Sequence, residues 1–302
     1  MTERGARTDR QHGTEDLPDN RGRWGSDDQL GTLNLITEEA RARGAAEART
    51  GRFVSLAQPV EPVPLVSGPL ALADRPASPV QQMLAYTGSP ATAAVDVITV
   101  TNHHPRSTHI DALVHKPREG RVYPGRPLAE SLTPAGVRHA STTAFAAGIV
   151  TRGVLLDLAA DGPLPERYAV TARDLDAAEE RQGVRLESGD ALVLRCGWIE
   201  GRQPGRAMPG VSLDAVRWMH RRGAALFVGD AGDVHPPLDP ACPLPLHTVA
   251  LPLMGMPLVD VAELAELAAV CAELDRWAFL LTVAPPRVNG LTGAPVNPLA
   301  VF

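Results

Sequence analysis

Cysteine is scarce in this chain of 302 residues. There are three, Cys196, Cys242 and Cys271, far apart and odd in number. That excludes a disulfide framework and a CxxC metal clamp, and it suits free thiols in a reducing compartment. An excess of positive charge is also missing: 29 Lys and Arg stand against 35 Asp and Glu, a net charge of −6. A nucleic-acid partner, which favours a basic face, is therefore not expected. No apolar run approaches the roughly 20 residues that span a bilayer. Residues 1–23 lack the apolar stretch of a secretory signal, so a cytoplasmic location is expected. There is no internal repeat and no glycine-rich GxGxxG or GK[ST] phosphate loop.

What the chain does have is proline, 28 residues, close to twice the usual share of about 5%. Proline breaks helices and central strands, so many short elements joined by fixed turns are expected. With 44% hydrophobic and 21% charged residues, a sizeable core is within reach. Residues 1–22, polar and rich in Gly and Arg, are read as a tail, and residues 23–302 as one α/β domain. Thr37 and the acidic pair after it open a helix that runs on to Thr50, where Gly51 stops it. Phe53–Leu56 and Val95–Val100 read as strands, whereas 57–92, full of proline and without a period, reads as a long irregular excursion. The run Ile149–Leu156 is a strand pair or one bulged strand. Helices are expected over 172–182, 212–221 and 261–273. Strands are expected at 191–195, buried on both faces, at 225–228 and at 279–283. The second of these ends in Gly229-Asp230, where α/β folds place chemistry.

Nine histidines are present, and His103, His104, His109 and His115 fall within thirteen residues, with Asp111 among them. Imidazole and carboxylate together suit Zn²⁺, Mn²⁺ or Fe²⁺. His109 and Asp111, two apart, share one face of an extended segment, not of a helix. Asp111 and His115, four apart, suit one helical turn. An extended stretch turning into a short helix makes all three converge. A solvated histidine loop without a ligand is the bland alternative. Asp230, Asp233 and His235 form a second polar cluster. Arg106 and Lys116 are candidates to steer an anion, or simply solvated charges. His12, His139 and His220 are read as structural or exposed.

The run Thr108-His109-Ile110-Asp111-Ala112-Leu113-Val114-His115 resembles the signature of the cyclase-like metal-dependent hydrolases, a family that includes bacterial kynurenine formamidase and isatin hydrolase. Their pattern is H-x-G-T-H-x-D-x-P-x-H. Co-linear stretches at 23–34, 189–195, 245–247 and 293–298 extend the resemblance over about residues 21–302. The resemblance implies a mixed, barrel-like sheet with peripheral helices, a swivelling β/β/α arrangement, and a homodimer or homotetramer. It makes His109 and Asp111 metal ligands, joined by His247 and by Asp260, which stands where the family often has Glu. It makes His115 the general acid/base, and gives Trp24 a place in the pocket wall. The first histidine of the pattern falls on Pro105, which cannot bind metal. His103 or His104 takes its place, and His103 is preferred because a longer H-G-x-x-x-T-H form exists.

The function so implied is hydrolysis of an amide, formamide or lactone bond of a small molecule, with one or two Zn²⁺ or Mn²⁺ ions activating water. Two alternatives stand beside it. One is metal-dependent cyclisation, dehydration or isomerisation of a biosynthetic intermediate. The other is a degenerate member that binds a ligand without turning it over.

Overall fold

The computed structural model describes residues 17–65 and 78–302. The sheet strands are β1 (Phe53–Ser55), β2 (Val80–Thr87), β3 (Ala93–Val100), β4 (His109–Asp111), β5 (Ile149–Asp157), β6 (Ala191–Arg195), β7 (Leu226–Gly229), β8 (Leu258–Asp260), β9 (Ala278–Val283), β10 (Gly293–Pro295) and β11 (Leu299–Val301). Nine of them form one curled, half-barrel sheet in the order β1-β11-β9-β5-β6-β7-β8-β4-β10. Strands β5 to β8 run parallel, and β4 and β10 close that end antiparallel. The helices are α1 (Glu38–Ala45), α2 (Ala172–Gln182), α3 (Leu213–Arg222) and α4 (Ala265–Leu274). A π-helix, Leu246–Met254, precedes β8.

Local chemistry explains where the elements begin and end. Thr171 and Asp174 form a reciprocal capping box at the start of α2, and Gly183, left-handed at φ 60°, ends it. Ser212 caps α3, and Gly223 stops it in the same way. Strand β6 is a continuous apolar run because both of its faces are covered: Ala191, Leu192, Val193 and Leu194 are fully buried. The segment 149–157 is a single strand that takes β6 on one edge and β9 on the other.

Four expectations need correction. Leu17–Gly22 is not part of a loose tail: Asn20 is buried, with its backbone N–H on Leu253 O and its side-chain amide on Met254 O. Residues 1–16 lie outside the described residues. Helix α1 ends at Ala45, short of Thr50, in a turn where Glu47 N bonds Gly44 O. Within 57–92, Val80–Thr87 forms a full strand paired along its length with β3. Its sequence, VQQMLAYT, does not alternate, because both faces of this hairpin are largely open, with Met83, Tyr86 and Ile98 exposed. Residues 66–77 of that segment are outside the described residues. Helix α4 starts at Ala265 rather than 261, since Val261 is left-handed (φ 54°) at the exit of β8.

Register, above all, builds the site. In β4, Ile110 is fully buried on the core side, which contributes roughly 1.5–3 kcal/mol. A slip of one residue would turn His109 and Asp111 into the core, so the apolar side fixes the polar one. Asp260 of β8 stands opposite His109, and Leu258 opposite Asp111. Directly paired residues share a face, so Asp260 joins His109 and, two residues on, Asp111.

Candidate metal centre

Asp111 lies at the middle of four imidazoles and is fully buried. Its Oδ1 is 2.6 Å from His103 Nδ1 and 3.4 Å from His109 Nε2. Its Oδ2 is 3.3 Å from His247 Nε2 and 3.7 Å from His115 Nε2. Asp260 Oδ2 is 3.3 Å from the same His247 nitrogen. Two triads therefore share Asp111: His103, His109 and Asp111 on one side, and Asp111, His115 and His247 on the other. The ligand atoms of each lie within 4.8 Å of one another.

The segment 112–116 is a turn rather than a helix: His115 N bonds Ala112 O, which still brings His115 back beside Asp111. His103 stands beside Asp111 and His109. It adopts a left-handed backbone (φ 59°), uncommon for a residue with a Cβ. It is held by Asp111 on one ring nitrogen and by Thr292 Oγ1, 3.0 Å away, on the other. Gly293 of β10 makes room for it: a Cβ there would sit 2.5 Å from His103 Cε1. His104 turns away and accepts a bond from Arg106 N.

Two histidines have their tautomers set from behind. His109 Nδ1 lies 2.7 Å from Ser107 O, and His247 Nδ1 lies 2.7 Å from Asp233 Oδ2. With Nδ1–H donating outward, Nε2 is the nitrogen that each ring turns toward Asp111. Metal-ligating histidines are oriented in this way. Asp233 also accepts from Leu246 N and His247 N at the head of the π-helix, so it fixes both the ring and the backbone that carries it.

The electrostatics agree. Burial alone would raise the Asp111 carboxyl, but the His103 and His247 contacts, with His115 and His109 close by, hold it well below the usual range. Burial alone would lower His247, yet its contacts with Asp111, Asp233 and Asp260 hold it well above. A cation beside these carboxylates is the alternative to that proton. His115 is pushed down to about 4, first by burial, against the pull of Asp111. Its ring stacks on His103 with centroids 3.7 Å apart and planes 10° from parallel.

The residues present fit a divalent ion. Asp111 Oδ2 and Asp260 Oδ1 are buried oxygens without a hydrogen bond, a costly state unless something else satisfies them. Oxygen and imidazole donors in this number are a borderline-metal set. An Asp233→Asn protein is expected to bind metal about 10- to 100-fold more weakly, the usual cost of losing such an outer partner. Competition with a chromophoric chelator measures this, and unchanged affinity would show that Asp233 does not orient His247.

The centre opens into a cleft of about 440 Å³. Its other walls include Trp198, Met208, Leu244 and Val261, with Lys116, Arg202, Arg206 and His235 as the polar part. Trp24 is not on this cleft. It packs half-buried against the core under the Arg23 guanidinium, 4.7 Å from its ring centre, and Trp198 supplies the aromatic wall instead. Of the second polar cluster, Asp233 and His235 reach the cleft. Asp230 does not: it is buried and accepts from Cys196 N and Trp198 N. Trp198 follows the carboxyl end of β6, and the general preference for ligands at such ends was a signal available in the sequence.

The Cyclase family profile matches residues 54–236. A crystal structure described as a novel cyclase is 31% identical, with a TM-score of 0.79, over 95% of this chain and 100% of that one. The chain belongs to the Cyclase family. Isatin hydrolase A from Labrenzia aggregata, bound to benzyl benzoate, is 18% identical with a TM-score of 0.59, over 82% of this chain and 93% of that one. A predicted metal-dependent hydrolase from Bacillus stearothermophilus is 13% identical with a TM-score of 0.51, over 82% and 97%. These last two show a shared fold. No curated protein matches. Among the described residues, no helix is long and apolar enough to cross a membrane.

Proposed function

We propose that the protein is a metal-dependent hydrolase that cleaves an amide, formamide or lactone bond of a small molecule. The observation that carries this is Asp111, with one carboxylate oxygen toward each of two histidine groups and its second oxygen buried without a hydrogen bond. His109, Asp111 and His247 would hold the ion, with His103 and Asp260 completing the set. A divalent ion held there polarises a carbonyl and acidifies water. The descriptions of the hydrolase neighbours support the same reading.

His115 does the proton work. Held neutral at physiological pH by its buried position, it can take a proton from the attacking water through Nε2, which faces the Asp111 carboxylate. It then returns that proton to the leaving nitrogen or oxygen as the bond to the carbonyl carbon breaks. Asp111 stabilises the imidazolium between the two steps. His103, stacked on its face, keeps the ring from turning.

The Cyclase description of the family and of the 31% identical relative favours a second reading, metal-dependent cyclisation, dehydration or isomerisation with the same base. Product mass separates the readings. Metal-loaded protein incubated with aryl formamides, cyclic amides and lactones is expected to add one water to a substrate. This activity should vanish on exhaustive chelation and return with Zn²⁺ or Mn²⁺. A product isobaric with its substrate, or lighter by one water, would favour the second reading, and turnover that survives chelation would contradict both.

A further inference from the structure

Four part-buried arginines of the scaffold are paired with carboxylates: Arg43 with Asp190 at 2.9 Å, Arg195 with Asp157 at 3.0 Å, Arg222 with Glu179 at 2.6 Å and Arg276 with Glu47 at 3.1 Å. The cations of the cleft are built differently. Arg202 donates to Pro105 O at 3.0 Å and to Gln58 Oε1 at 2.9 Å. Arg206 donates to Gly201 O at 2.6 Å and to Leu164 O at 2.9 Å. These partners are neutral, so the guanidinium groups are positioned without being neutralised. Lys116, next in the chain after His115, is half-buried on the same cleft. Among the described residues, no carboxylate comes within 4.0 Å of Lys116, Arg202 or Arg206. Burial and the nearby Arg106 lower Arg202, and Glu263 pulls the other way only from a distance. In a chain of net charge −6, three uncompensated cations beside a metal centre need an anion from outside.

We infer that the substrate of this site carries a carboxylate that seats against Arg202, Arg206 and Lys116, while its apolar body lies on Trp198, Met208 and Leu244. The inference rests on the hydrolase reading and names its substrate class. The planar guanidinium fork matches a carboxylate, and a donor fixed beforehand loses less entropy on binding. Arg202 also ties the anion to the metal loop: through Pro105 it holds the segment that carries His103, and Gln58 bonds on to Thr108 Oγ1 and Val261 O.

A matched pair of compounds tests this on the metal-loaded enzyme: 2-formamidobenzoate, and formanilide, which lacks only the carboxylate. The former is expected to have a kcat/KM at least about tenfold higher, chiefly through KM, an advantage that shrinks as salt screens the cations. The ratio should collapse toward one in Lys116→Met and in Arg202→Gln, and survive in Lys116→Arg. Equal kcat/KM for the two compounds overturns the proposal. So does a ratio that persists in both charge-removing variants, since the carboxylate would then be drawn by the metal alone. If neither compound is hydrolysed, calorimetric titration decides. Tighter binding of 2-formamidobenzoate, lost in Lys116→Met, upholds the anion subsite while formamide hydrolysis falls. Equal binding, or none, overturns the subsite.

Discussion

Asp111→Asn protein is expected to purify without stoichiometric metal and to lose hydrolytic turnover by more than the about 10- to 100-fold that outer-shell substitutions cost. The substitution keeps the shape of the side chain and removes its charge. Asp111 is the one group common to both histidine triads, so no other residue can replace it at the centre. The fold is expected to survive. A buried ion pair that loses its anion usually leaves a stranded cation, costing several kcal/mol. Here the stranded groups are imidazoles, which release their protons and become neutral. Circular dichroism melts in chelator should therefore show a small change, while elemental analysis shows a large one. Full metal content in Asp111→Asn would place the ion elsewhere.

The second large effect is that of His115→Ala, expected to lower kcat by about 10²- to 10⁴-fold, the usual range for a positioned general acid/base. The metal should stay. His115 Nε2 is the most distant of the four imidazole nitrogens from Asp111, at 3.7 Å. Among the described residues, its ring nitrogens have no acceptor behind them of the kind that Ser107 gives His109 and Asp233 gives His247. If metal content falls together with activity, His115 is a ligand and the proton carrier must be sought elsewhere on the cleft.

The parts of this molecule that were legible in sequence are those governed by local chemistry. Thr171 with Asp174, Ser212, Gly183 and Gly223 mark α2 and α3 nearly to the residue, because caps act within one turn. The apolar run Ala191–Arg195 declares a central strand by itself. His109 and Asp111 follow from the two-residue period of an extended chain. Other parts depend on contacts between distant segments. Strand β2 was hidden because an open hairpin has no apolar face to pattern its sequence. Gly293 lies in the edge strand against β4, where it clears space for His103. Trp24 and Trp198 could not be told apart by residue type. Only the course of the chain puts the second on the cleft and the first under Arg23. Asp233 was one of three polar residues after β7, and its bond to His247 depends on the π-helix turning that ring back toward it.

On the proposed function, Asp111 holds a divalent ion together with the histidines around it. Diffraction data collected above and below the absorption edge of the metal found in the purified protein test it most directly. Anomalous density is expected between Asp111 and the Nε2 atoms of His109 and His247, at one position or at two flanking the carboxylate. Metal-loaded protein whose anomalous density lies away from Asp111, or is absent from this cluster, would contradict it.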